Sequence, residues 1–103
     1  MGHRFKVAML SDLPPGTGRQ VQIEGRPVAV FNVGGEVYAM AGACSHRGGP
    51  LGEGKLEGSV VTCPWHGARF DASTGRVLAP PASTNMVCYR VVVEGDAIMI
   101  DLG

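Results

Sequence analysis

Hydrophobic and polar positions along this chain alternate in short runs, and no window of ten or more residues carries a convincing helical repeat. Runs rich in β-branched and aromatic residues recur at 4–8, 21–23, 28–32, 37–39, 60–62, 76–78, 89–93 and 97–101, and each predicts a strand. Turn signals separate them. Gly34-Gly35 predicts a tight hairpin, and Glu94-Gly95-Asp96 predicts another between the last two strands. Ser73-Thr74-Gly75 reads as a turn in which Asp71 stabilises the backbone, and Ser11-Asp12-Leu13 reads as one helical turn before the breaker Pro14-Pro15. No internal repeat, linker or low-complexity tract interrupts the pattern. The expected fold is all-β, an antiparallel sandwich or small barrel.

Composition narrows the function more than the fold. At 103 residues the chain is read as a single domain spanning 1–103, a size at which about two-thirds of the unfolded surface is buried on folding. Nine basic residues balance nine acidic ones, so no basic field exists to attract nucleic acid or anionic lipid. The opening MGHRFKVAML lacks the apolar stretch of a signal peptide, and no run approaches transmembrane length. Three cysteines are an odd number, which argues against a secreted disulfide framework. A cytoplasmic protein with no membrane and no nucleic-acid partner is the expectation.

Outside the predicted strands, two loops at strand ends each carry a cysteine and a histidine, where a sheet can hold functional groups rigidly. The first reads CSHRGGPLGEG and the second CPWHGARF. Thiolate and imidazole are ligands for zinc, copper and iron–sulfur clusters. A closed tetrahedral zinc site is one reading, yet zinc fingers usually pair Cys with Cys and His with His on separate elements. Here the order is Cys-x-His, sixteen intervening residues, then Cys-x-x-His. That order suits a two-iron cluster with chemically different irons, Cys44 and Cys63 on one and His46 and His66 on the other.

The stretch CSHRGGPLGEGKLEGSVVTCPWHGARFDASTGRVLAPPA closely resembles the Rieske ferredoxins, and the likeness extends to SDLPPG upstream and YRVVVEGDAIMID downstream. The resemblance implies a Rieske-type antiparallel β-sandwich with a small cluster-binding subdomain made by two loops, about residues 43–52 and 62–70. It implies one Rieske-type [2Fe-2S] cluster held by Cys44, His46, Cys63 and His66, and no catalytic residues. The implied role is soluble one-electron carriage from a flavin-dependent reductase to a terminal oxygenase, in an aromatic-ring-hydroxylating dioxygenase system, by a monomer docking near His46 and His66. The alternatives are the small Rieske-like subunit of a nitrite reductase and a structural zinc-binding module. The oxygenase itself is excluded, because its mononuclear iron needs two further His and a carboxylate, and only His3 remains.

Glycines 48, 49, 52, 54 and 67 are expected to let backbone pass close to the cluster and offer N–H groups to its sulfurs. Pro64 stiffens the second loop. Trp65 is read either as a shield for the cluster or as ordinary loop packing, and Arg47 as a solvated cation in preference to a partner contact or charge tuner, while Pro80-Pro81 is read either as the family's cluster-covering segment or as a plain turn. Cys88, with no His at ligand spacing, is read as inert. High-potential Rieske proteins carry a disulfide between the loops, at positions that look like Gly49 and Trp65 here, and a serine where this chain has Ala68. Their absence implies a potential near the low end of the Rieske range, about −150 mV.

Overall fold

The computed structural model describes residues 4–43, 49–65, 67–80 and 84–102. Six strands, β1 (Arg4–Met9), β2 (Gly18–Ile23), β3 (Arg26–Val33), β4 (Glu36–Ala41), β9 (Cys88–Glu94) and β10 (Ala97–Asp101), form one sheet in the order β1-β10-β9-β4-β3-β2. A smaller sheet, β5-β6-β7-β8, is built from Lys55–Glu57, Val60–Thr62, Arg69–Asp71 and Val77–Ala79. Neighbours in both sheets pair antiparallel. The edge strands β1 and β2 touch, so the large sheet curls toward a barrel. The all-β expectation holds, and no helix among the described residues is long and apolar enough to cross a membrane.

β3 explains how the two sheets are joined. Its residues Val28 to Asn32 are all buried, as in a strand covered on both faces. Successive side chains point to opposite faces. Val28 and Val30 pack with Ile23, Ala39, Ile98 and Ile100 inside the curled sheet. Ala29 and Phe31 pack on the other side with Met40, Leu51, Val61, Cys63 and Phe70. The second cluster mounts the small sheet, and the buried Cys63 belongs to it.

Hairpins lock the registers. Gly34 and Gly35 have φ of 61° and 103°, the double positive φ of a type I′ turn, joining β3 to β4 as the sequence predicts. Gly95, at φ 60°, turns β9 into β10. Asn32, buried, donates from Nδ2 to the Leu13 carbonyl (2.8 Å) and accepts the Gly35 N–H (2.8 Å), tying the first hairpin to the N-terminal turn.

The structure departs from expectation in detail. The helical turn is a 3₁₀ turn at Leu10–Asp12, one residue earlier, closed by Leu13 N–H on the Leu10 carbonyl (3.1 Å). The strand expected at 76–78 runs Val77–Ala79, because the Arg76 N–H bonds Thr74 Oγ1 (3.2 Å) and its carbonyl accepts the Asp71 N–H (2.8 Å) within the turn. β5, β7 and a second 3₁₀ turn at Leu51–Glu53 occupy segments with no predicted element. The small subdomain, expected to be made by two loops, is therefore a four-stranded sheet with loops.

Candidate metal centre

Two loops reach the same end of the small sheet. The second is the turn between β6 and β7, whose strands pair Thr62 with Arg69. The Cys63 N–H donates to the Ala68 carbonyl (2.7 Å) and closes that turn at its base. Cys63 is only 3% exposed, against Phe31, Leu51, Val61, Ala68 and Phe70. Pro64 and Gly67 are exposed beyond it, and Gly67 has φ +75°, a conformation that disfavours side chains. Trp65 is half exposed.

The first loop leaves β4 and returns into the 3₁₀ turn Leu51–Glu53. Its neck is drawn shut by an antiparallel bridge between Ala43 and Pro50, and by the Leu51 N–H on the Gly42 carbonyl (2.9 Å). Leu51, fully buried, anchors the return into the apolar cluster below Cys63. Gln20 of β2 reaches the same neck, accepting the Gly52 N–H at Oε1 (2.7 Å) and donating from Nε2 to the Gly42 carbonyl (3.1 Å).

The loops meet at Gly49. A Cβ at that position would lie 2.7 Å from Cys63 Sγ, and 3.0 and 3.1 Å from Cγ and Cβ of Trp65. Only a bare backbone fits there. A buried sulfur donor, flanked by the backbone of a second loop with no side chain between them, is suited to a thiolate-ligated cluster whose sulfurs approach main-chain N–H groups.

Of the four predicted ligands, Cys63 is described. Cys44, His46 and His66 lie outside the described residues, as do Arg47, Gly48 and Pro81. The expectation for the glycines needs correction at two positions. Gly52 and Gly54 are bare because of protein backbone: a Cβ on Gly52 would meet the Arg19 carbonyl at 2.6 Å, and one on Gly54 would collide with the Thr62 carbonyl. Their N–H groups bond Gln20 Oε1 and the Leu51 carbonyl (3.0 Å), so neither is directed at a cluster sulfur. A Cβ on Gly49, by contrast, would meet Cys63 Sγ itself.

Asp71 Oδ1 accepts from Ser73 N–H (2.9 Å) and Ser73 Oγ (2.6 Å), and its carbonyl accepts the Gly75 N–H (2.7 Å), as a turn former does. Those Ser73 bonds hold its carboxyl below the usual 3.8, against a smaller opposing effect of burial. Cys88 opens β9 opposite Met40, and its sulfur lies against Gly75. Cys88 is exposed as a residue, yet partial burial of its thiol first, then the charge of Asp71, pushes it up from the usual 9.0. Pro80 is exposed at the end of β8.

Comparison with known proteins fits this geometry. The model of the Rieske [2Fe-2S] domain matches residues 3–90. A ferredoxin component of a naphthalene 1,2-dioxygenase system from Pseudomonas aeruginosa is 41% identical over 93 residues, 90% of this chain and 89% of that one. The 3-phenylpropionate/cinnamic acid dioxygenase ferredoxin subunit of Escherichia coli K12 is 42% identical over 102 residues, covering 97% of this chain and 94% of its own. A chain from the solved complex of reduced oxygenase and oxidised ferredoxin in carbazole 1,9a-dioxygenase superposes with a TM-score of 0.90 at 35% identity, covering 95% of this chain and 92% of its own.

Proposed function

The chain belongs to the Rieske [2Fe-2S] domain family, and from that premise we propose that it is a low-potential one-electron carrier, supplied by a flavin-dependent reductase and serving the terminal oxygenase of an aromatic-ring-hydroxylating dioxygenase system. It is an electron-transfer component and not itself an enzyme, and its cofactor is one Rieske-type [2Fe-2S] cluster. In this reading the whole chain, 1–103, acts as one unit with cluster loops at about 43–52 and 62–70. Cys44 and Cys63 hold one iron, and His46 and His66 hold the other. The observation that carries the assignment is the approach of Gly49 to within contact of buried Cys63 Sγ, which brings the backbone of the Cys-x-His loop to the thiol of the Cys-x-x-His loop.

The bound cluster supplies a single-electron couple. What the chain supplies is a dry socket and an exit. Phe31, Leu51, Val61 and Phe70 exclude water behind Cys63. Histidines in place of thiolates would leave the centre less negative, and the ring nitrogen of each that does not bind iron would be available to a partner. Exposed Pro64, Trp65 and Gly67, beside His66 in the chain, form part of the surface on which reductase and oxygenase dock in turn. A small, transient redox contact suits a monomeric shuttle. That a relative of this fold is known in complex with an oxygenase supports the oxygenase as partner.

Ala68 sets the direction of the potential. Its methyl group offers no hydrogen bond to a cluster sulfur, and a lost donor withdraws stabilisation from the added electron. An anaerobic redox titration should give a one-electron midpoint near the low end of the Rieske range, about −150 mV. A midpoint several hundred millivolts higher would overturn the low-potential reading. A colourless protein that carries zinc would overturn electron carriage altogether.

A further inference from the structure

The amide of Gln20 is the single side chain, among the described residues, that bonds both sides of the first loop's neck. Gly42 and Gly52 are ten residues apart in sequence, one before the loop and one after it. Oε1 accepts from Gly52 and Nε2 donates to Gly42, so one planar group spans the gap. The two glycines are shaped for it. A Cβ on Gly42 would lie 2.5 Å from Nε2, and a Cβ on Gly52 would lie 2.6 Å from Oε1. Both are buried, so without Gln20 the Gly52 N–H would face the interior lacking its partner. Gln22, two residues along the same strand, is exposed.

The neck has other ties. The Gly42 N–H is held by the Pro27 carbonyl of β3 (2.9 Å) and its carbonyl also accepts from Leu51. Those bonds fix the neck along β3 and across itself. Gln20 alone adds a side-chain tie from β2, thirty-two residues before Gly52. Cys44 is two residues beyond Gly42, so any shift of the neck is passed to the first ligand over one intervening residue. Metal–ligand distances tolerate only about 0.2 Å of error.

We propose that Gln20 is a positioning residue for the cluster: its amide clamps Gly42 to Gly52, and thereby fixes the direction in which the first loop presents Cys44 and His46. The inference rests on the reading that those two residues are ligands.

The test compares Gln20→Met, Gln20→Glu and the control Gln22→Met in the cluster-loaded protein. Three quantities are measured: the rate of cluster bleaching under an iron chelator, the line shape of the reduced-state electron paramagnetic resonance spectrum, and the urea midpoint. Gln20→Met keeps the length but makes neither bond. It should bleach about tenfold faster than wild type, the ratio expected when two ordinary hydrogen bonds are lost, with shifted or broadened g values. Gln20→Glu keeps the acceptor for Gly52 but sets a carboxylate oxygen against the Gly42 carbonyl, so it too should bleach faster than wild type. Gln22→Met should behave as wild type. A Gln20→Met protein with the wild-type spectrum, or one lowered only in its urea midpoint, would overturn the proposal. Should that variant fail to fold, Gln20→Glu decides on the same criteria. A wild-type protein with no Rieske signal would remove the ligand reading and this inference together, whereas a normal wild-type signal left unaltered by both Gln20 variants removes the inference alone.

Discussion

Replacing Gly49 with alanine should damage the cluster site far more than the fold. The added Cβ would lie 2.7 Å from Cys63 Sγ, whereas unstrained heavy-atom contacts lie at about 3.5–4.0 Å, so a gap of roughly 1 Å must be opened. Trp65 can yield part of that, being half exposed. Cys63 cannot, because it is 3% exposed and backed by Phe31, Leu51 and Phe70. A ligand bond tolerates about 0.2 Å, so the thiolate cannot both clear the methyl group and keep its place. Overpacking of this kind costs folding about 1–3 kcal/mol, which a domain with ~5–15 kcal/mol of stability survives. The matched control is Gly67→Ala. Its Cβ meets nothing within 4 Å, and it suffers only from the φ of +75°, worth about 1 kcal/mol. Iron per chain and visible absorbance should be strongly reduced in Gly49→Ala and close to wild type in Gly67→Ala, with both proteins folded by circular dichroism. A Gly49→Ala protein with full iron and the native spectrum would show that the first loop does not need bare backbone against Cys63.

Other substitutions bear on the rest of the site. Cys44→Ser and Cys63→Ser should each abolish the red-brown colour. Because ligation free energy is part of folding, a loss of even ~2 kcal/mol would lower the thermal midpoint by about 10 °C; a native spectrum from either would refute the ligand assignment. Cys88→Ser should leave spectrum and potential untouched, and a bleached protein would show that this thiol is not inert. Asp71 gives a pH signature. Its folded pKa is depressed by the Ser73 bonds, so its contribution is present above the ordinary value of 3.8 and is lost as pH falls through the lower folded value. Asp71→Asn should therefore be less stable than wild type at pH 7, with the difference shrinking toward pH 3 in urea titrations. A difference that stays constant with pH would mean that the carboxylate charge contributes nothing.

How far the sequence reveals this molecule depends on whether a feature is local. The Cys-x-His and Cys-x-x-His couples mark a candidate site in the sequence because ligand chemistry is written in residue type and spacing, and of their four residues the structure describes Cys63. Gly34-Gly35 is legible because a two-residue hairpin needs positive φ at both positions, which glycine alone adopts freely. Val28 to Asn32 is legible as a strand, but its two-sided burial depends on the small sheet, which no local pattern announces. β5 and β7 are only three residues each, KLE and RFD, with one apolar residue between charges, too short for a period to register. The turn before β3 meets the same limit from the other side: it uses Glu24 at φ 50° with Gly25, and an acidic residue in that conformation is not a standard signal. Gly52 and Gly54 read as cluster glycines for want of any sign in the sequence that β2 and β6 press on them. Gln20 carries no sequence signal, since its partners come from the distant loop neck.

A mixed cysteine–histidine cluster shared between the two loops is the claim on which the rest depends. Electron paramagnetic resonance of the dithionite-reduced protein tests that most directly. A rhombic signal whose average g lies below the free-electron value, together with two irons per chain, is the predicted result. A silent, colourless protein containing zinc, or an all-thiolate type of iron–sulfur signal, would contradict it.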